Sequence, residues 1–155
     1  MDGPCVDAIT VTSRRTESER SWIMLSNEVV RELRSIWLPN TSDSGLARII
    51  DLLQKGSPLL LAGRFTAALP TGCLATHIGW HHPAVCHRDD DAGVLWLTRI
   101  AGLNPATSHV IREWDRHDPR DWTFRRDLLE VLIDERDRRR SVAEPESAPA
   151  ELVCA

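Results

Sequence analysis

Four of the six histidines and two of the four cysteines of this 155-residue chain fall within one short stretch, Gly72 to His87, reading GCLATHIGWHHPAVCH. On a helix, Cys73, His77 and His81 recur every four residues and share one face, with neighbouring side chains about 5–6 Å apart. Thiolate and imidazole suit zinc, and three protein ligands plus a water is the usual arrangement of a catalytic zinc. Cys86 or His87, returning after Pro83, would close a fourth position. Asp89, Asp90 and Asp91 would orient the imidazoles from behind. A zinc-bound water activated in this way supports a hydrolytic or lyase-type step on a small molecule. Four protein ligands would instead make the metal structural.

The same residues admit two other readings. Cys73 follows Gly72 at a helix start, where the helix dipole favours a thiolate, and His77 one turn on could take its proton, making the pair a catalytic nucleophile and base. In the plainest reading Cys73 is a small buried hydrophobe, His77 a satisfied polar side chain, and His81-His82 a solvated helix end. The spacing C-x3-H-x3-H is less specific than a paired CxxC motif.

A second stretch, VLWLTRIAGLNPATSHVIREW at 94–114, reads as a helix-turn-helix. Gly102 takes the turn, Leu97 and Leu103 pack inward, and Pro105-Ala106-Thr107 open the second helix. AGLNPATSHVI is similar to the turns of LacI-like repressors. As a DNA reader it would set Arg99, Arg112 and Arg116 on one exposed face and turn Ser108 and His109 to the groove. Glu113 and Asp115 on that side repel phosphate. The remaining reading is a protein-interaction module that docks through its last, Arg- and Asp-laced helix, a pattern also typical of a plain solvated face.

These stretches need a scaffold, and composition indicates its kind. Apolar residues make up 42% and charged residues 27%, the balance of one globular domain. The net charge of −4 argues against blanket phosphate binding. Lys55 is the single lysine, the mark of a high-GC genome such as an actinobacterial one. Residues 1–20 carry no signal-peptide pattern, and Arg64, Pro70 and two glycines break the apolar region Pro58 to Trp80 before it could span a membrane. The expectation is a cytoplasmic chain with reduced thiols, meeting a small-molecule ligand or a protein partner.

Helical period predicts an all-α fold, a compact bundle of about six to seven short helices over residues 21–140. A loose arm (1–20) precedes it and a disordered, Pro-containing tail (141–155) follows. Val29, Val30, Leu33, Ile36 and Trp37 form the first stripe, stopped at Pro39. Ser44 caps a second helix ending at Gly56. Ser57-Pro58 opens a third to Leu69, Thr71-Gly72 a fourth to His82, and 92–102 form a fifth. Asn104-Pro105 and Asp118-Pro119 are cap-plus-proline starts for the last two. Ala8 to Thr12 is the one stretch with strand alternation. Trp37, Trp80, Trp96 and Trp114 lie on or beside apolar stripes and should be mostly buried.

In order along the chain, LARIIDLLQKG at 46–56, Cys73-Leu74 with Ile78, Ala101-Gly102-Leu103, Trp114-Asp115, and Arg126 with Glu130-Val131-Leu132 also resemble a family of small actinobacterial and phage proteins of unknown function. The likeness covers about two-thirds of the chain. It implies a helical domain and no particular activity. The histidines at 77, 81, 82 and 87 are not part of that pattern, and the Asn that the family places between the Trp and the Asp is missing.

Overall fold

The computed structural model describes residues 25–85, 90–118 and 120–144. Among them the chain is all-α, with no strand beyond two isolated bridges. The expected strand at Ala8 to Thr12 and most of the N-terminal arm lie outside the described residues.

Helix α1 (Asn27–Glu32) starts at Ser26, whose hydroxyl accepts the Val29 N–H. It continues through a wide π turn (Leu33–Trp37) and a tight 3-10 turn (Leu38–Asn40) that accommodates Pro39. The π turn lets Leu33 and Trp37 both face inward, and Trp37 meets Trp96 edge-on at 5.0 Å. Helix α2 (Asp43–Gln54) is capped by Ser42, not Ser44, and Gly56 closes it at a φ of 57°. Its Leu46, Ile49, Ile50, Leu52 and Leu53 are the centre of the core.

The expected third helix from Pro58 to Leu69 does not form. Residues 58–71 make an irregular loop, because their backbone groups bond outward to other segments. Leu61 N–H donates to Gly72 O, Gly72 N–H to Leu59 O, and Cys73 N–H to Phe65 O. Gly63 takes a φ of 79°, which a helix excludes. Helix α3 (Leu74–Trp80) is therefore shorter than the expected Thr71 to His82, and Cys73 is its N-cap. Helix α4 (Ala92–Leu95) runs on through a π turn (Trp96–Ile100). It crosses α3 closely, since a Cβ on Gly79 would meet Ala92 O at 2.6 Å and one on Gly93 would meet Thr76 Oγ1 at 2.4 Å.

Helix α5 (His109–Arg116) starts after Ser108, not at Asn104-Pro105, which forms a turn closed by Asn104. Helix α6 (Trp122–Ala143) is capped by Asp121 and is long, at 22 residues, so the start expected at Asp118-Pro119 is displaced. It reaches Ala143, so Ser141–Ala143 of the expected tail are helical; residues 145–155 lie outside the described residues. Phe124, Leu128, Val131 and Leu132 anchor it to the core. Arg139 ties it to the corner between α1 and α2. Its guanidinium donates to Leu38 O at 2.6 Å, Thr41 O at 2.9 Å, Asp43 Oδ1 at 2.8 Å and Glu135 Oε1 at 2.7 Å. Trp37, Trp96 and Trp114 are buried as expected, whereas Trp80 is only half-buried and Trp122 is 52% exposed.

Candidate functional site: the anchored loop and the corner between the last two helices

Cys73 and His77 both lie inside the core, and each already has a partner. The Cys73 Sγ is 3.5 Å from Thr76 Oγ1, and the Thr76 hydroxyl donates to Phe65 O at 2.7 Å. Burial pushes the Cys73 thiol above its ordinary value, outweighing the hydrogen bonds from Thr76 and Ala75 that act the other way. A nucleophilic thiolate needs the opposite shift, so the environment disfavours the activation expected of a helix-start cysteine. His77 is 1% exposed, with Nε2 3.1 Å from Leu59 O and its ring edge-on to Trp80 at 5.0 Å. That geometry places the ring proton on Nε2, donating to the carbonyl.

His81 follows the helix as its C-cap, half-buried. Its carbonyl accepts from the Ser42 hydroxyl at 2.7 Å. Cys86, His87 and Asp89 of the expected zinc site lie outside the described residues. Among the described residues no three His, Cys, Asp or Glu side chains converge as a metal site requires.

What α3 does hold is the 58–71 loop. His77 takes Leu59 O, Thr76 takes Phe65 O, and Leu60 plugs into the core beneath. From the other side, Trp114 of α5 donates Nε1–H to Leu61 O at 2.6 Å, and Asp115 Oδ1 accepts the Gly63 N–H at 2.8 Å. The Thr66 hydroxyl reaches Asp90 O at 3.0 Å. Four helix side chains thus satisfy loop backbone groups, which is what allows an irregular segment to cover a core. The anchors leave two tips in solvent: Gly63-Arg64, and Ala68-Leu69-Pro70, where Leu69 is 51% exposed.

The stretch read as a helix-turn-helix is built differently. Ser108 does not face outward. It is buried, caps α5 by accepting the Ile111 N–H, and donates its hydroxyl proton to Glu32. Glu32 itself is buried. Its carboxylate also accepts from His109 N–H at 2.7 Å, Val110 N–H at 3.3 Å and Trp37 Nε1–H at 3.0 Å. A carboxylate at a helix N-terminus satisfies the free N–H groups and complements the dipole. The end of α5 that a repressor would turn to a groove is packed against α1 instead. Arg99, Arg112 and Arg116 are exposed as expected, and Arg116 pairs with Glu113 at 2.9 Å.

A further cluster of titratable groups lies where α5 meets α6. The His117 ring stacks flat on Phe124, centroids 4.1 Å apart. Its Nδ1 is 2.9 Å from Asp121 Oδ2 and its Nε2 3.5 Å from Glu113 Oε2. Asp121 also caps α6, accepting N–H from Thr123 and Phe124. The His117 bond, and then the Phe124 N–H, hold the Asp121 carboxyl below its ordinary value. Arg125 lies over the Trp114 ring, 5.0 Å from its centroid. Sequence reasoning passed over Glu32, His117 and Arg125. Arg125 had a signal: it precedes Leu128 and Leu132 by three and seven residues, an inward stripe position.

Comparison with protein-family models, with curated proteins and with solved structures finds no match for this chain. Its class is thus defined by its own architecture, an all-α domain that pins an apolar loop between two helices. No described helix is long and apolar enough to cross a membrane.

Proposed function

We propose that the protein is a helical protein-interaction module whose recognition element is the 58–71 loop. One observation carries this reading. Side chains from α3 and α5 anchor the loop backbone from beneath, while Arg64, Leu69 and Pro70 are left in solvent. A pre-ordered loop loses little entropy on binding, and rigid scaffolds commonly present recognition residues in this way. Leu69 supplies apolar area and Arg64 a cation, a pairing suited to a partner surface that is apolar with an acidic rim. The last helix, the docking face expected from its charge pattern, serves here as support through Arg139 and its buried stripe.

A photo-crosslinking residue placed at Leu69 in the source cells tests the reading, with Glu28, exposed on α1, as the control position. One discrete protein adduct at position 69 is expected, absent at position 28 and abolished by Arg64→Glu in a chain that melts like the wild type. Identical adducts at both positions, or none at 69, overturn it.

A further inference from the structure

We infer that Arg125 forms the floor of a carboxylate-binding site in the cleft between α5 and α6. The cleft is a narrow crevice lined by Ala62, Trp114, His117, Asp118, Phe124 and Arg125. This inference stands apart from the reading of the loop and does not depend on it.

Arg125 is 6% exposed, and its guanidinium makes no hydrogen bond to any described residue. Buried arginines are nearly always paired, because five N–H donors removed from water need acceptors. The Trp114 ring face compensates part of the charge and accepts none of those donors in a strong bond. Asp118 acts on Arg125 through its field from beyond ion-pair distance, while burial pulls the guanidinium below its ordinary value. No fully buried side-chain nitrogen or oxygen among the described residues lacks a partner, so the unbonded guanidinium nitrogens retain some surface. They are donors not fully cut off from solvent.

The walls select the ligand. Two coplanar acceptor oxygens match the guanidinium fork, and Phe124, Trp114 and Ala62 suit the carbon that bears them. A dianion is disfavoured, since Glu113, Asp118 and Asp121 all lie at this corner, against Arg116 and Arg125. As it stands the cleft has no room for a water-sized sphere, so entry requires a wall to move. Ala62 belongs to the loop, whereas the other five lining residues come from α5, α6 and the connection between them. The carboxylate comes either from a small acid or from an acidic side chain of a polypeptide.

The test follows the arginine Nε–H resonances of the full chain while sodium acetate replaces sodium chloride at constant ionic strength. One resonance, missing in Arg125→Lys, should shift saturably in the millimolar range. Asp118→Asn, which removes the competing carboxylate, should lower the half-saturation concentration several-fold. An acetyl-glutamyl peptide amide that saturates below acetate identifies a polypeptide source, and one that does not identifies a small acid. A linear shift, an equal response to chloride, an equal response to inorganic phosphate, or no change in Asp118→Asn overturns the site. Should Arg125→Lys fail to fold, the Asp118→Asn comparison still decides.

Discussion

In α3 the imidazole of His77 and the hydroxyl of Thr76 are turned inward onto carbonyls of the 58–71 loop, beside a thiol that burial holds protonated. At the corner of α5 and α6, His117, Asp121 and Glu113 are all partly exposed, with His117 bonded to Asp121 and near Glu113, and a buried arginine has no hydrogen-bonded acceptor among the described residues. Both regions contain titratable groups four residues apart. They differ in what lies opposite the helix face. A loop whose carbonyls can each accept a second bond turns polar side chains into anchors, whereas a half-exposed helix end keeps its charged groups in reach of solvent. Density of reactive residue types along the chain is therefore a weaker guide to a site than the presence of unpaired donors or acceptors.

The largest expected effect tests the buried counterpart of the corner, the start of α5. Glu32→Ala leaves Ser108, Trp37 Nε1–H and the first N–H groups of α5 without their acceptor. A loss of about 4 kcal/mol in urea denaturation is expected, against a smaller loss for Glu32→Gln, whose carbonyl keeps some of these bonds. A loss below about 1 kcal/mol for Glu32→Ala would show that α5 does not depend on this carboxylate.

Gly93→Ala comes next, and it probes the α3 side. The new Cβ would lie 2.4 Å from Thr76 Oγ1 and 2.9 Å from the Thr76 nitrogen, so α4 must back away from α3. About 3 kcal/mol is expected from this overpacking, with faster hydrogen exchange in the loop that Thr76 holds. Unchanged stability would mean that the crossing is loose and Thr76 free to move.

The helices α2, α4 and α6 are legible because their apolar period is a local signal: Leu46 to Leu53, Val94 to Leu97 and Leu128 to Leu132 all face the core or lie beside it, although the caps of α2 and α6 fall on Ser42 and Asp121 and not on the expected Ser44 and Asp118. The loop was not. Ser57-Pro58 is a sound helix start by local rules, yet the backbone bonds of 59–65 go to Gly72, Thr76, His77 and Trp114, partners distant in sequence. Tertiary hydrogen bonding overrode local propensity there. Ser108 was misplaced for a related reason, since nothing near it announces that Glu32 will accept its proton. The histidines stand out by number, although an inward imidazole can be satisfied by bonds within the core, as His77 Nε2 is by Leu59 O.

His77→Ala separates anchor from ligand. As an anchor, its loss removes one of the two donors on Leu59 O, the other being the Gly72 N–H, and leaves a cavity in the core, costing about 2 kcal/mol, with the exchange protection lost mainly over 59–66. As a zinc ligand with Cys73, His81 and Cys86 or His87, its loss would lower the metal content of protein purified without chelator. Elemental analysis of the wild type and of His77→Ala reads this directly. Stoichiometric zinc in the wild type that falls in the variant would return α3 to the role its sequence suggested and would break the comparison drawn above.

The smallest effect is an acid limb that both Asp121 and Glu135 should shape. Arg138 and Arg139 hold the Glu135 carboxyl down from 4.5 to about 2, and His117 and the Phe124 N–H hold Asp121 below its ordinary value. A carboxyl lowered in the folded state binds fewer protons there than in the unfolded chain. Its contribution is thus fully present above the ordinary carboxylate range and is lost as pH falls through the folded value. For Glu135 the loss runs from about 4.5 down toward 2. Glu135→Gln should flatten stability against pH across that window while leaving the corner of α5 and α6 untouched. Asp121→Asn should flatten it less, because its carboxylate is solvent-screened, and should leave the α6 start capped, since an Asn side-chain carbonyl accepts the same N–H bonds. Equal slopes in wild type and Glu135→Gln between pH 2 and 4.5 would show that the Arg138 and Arg139 bonds add nothing to folding in solution.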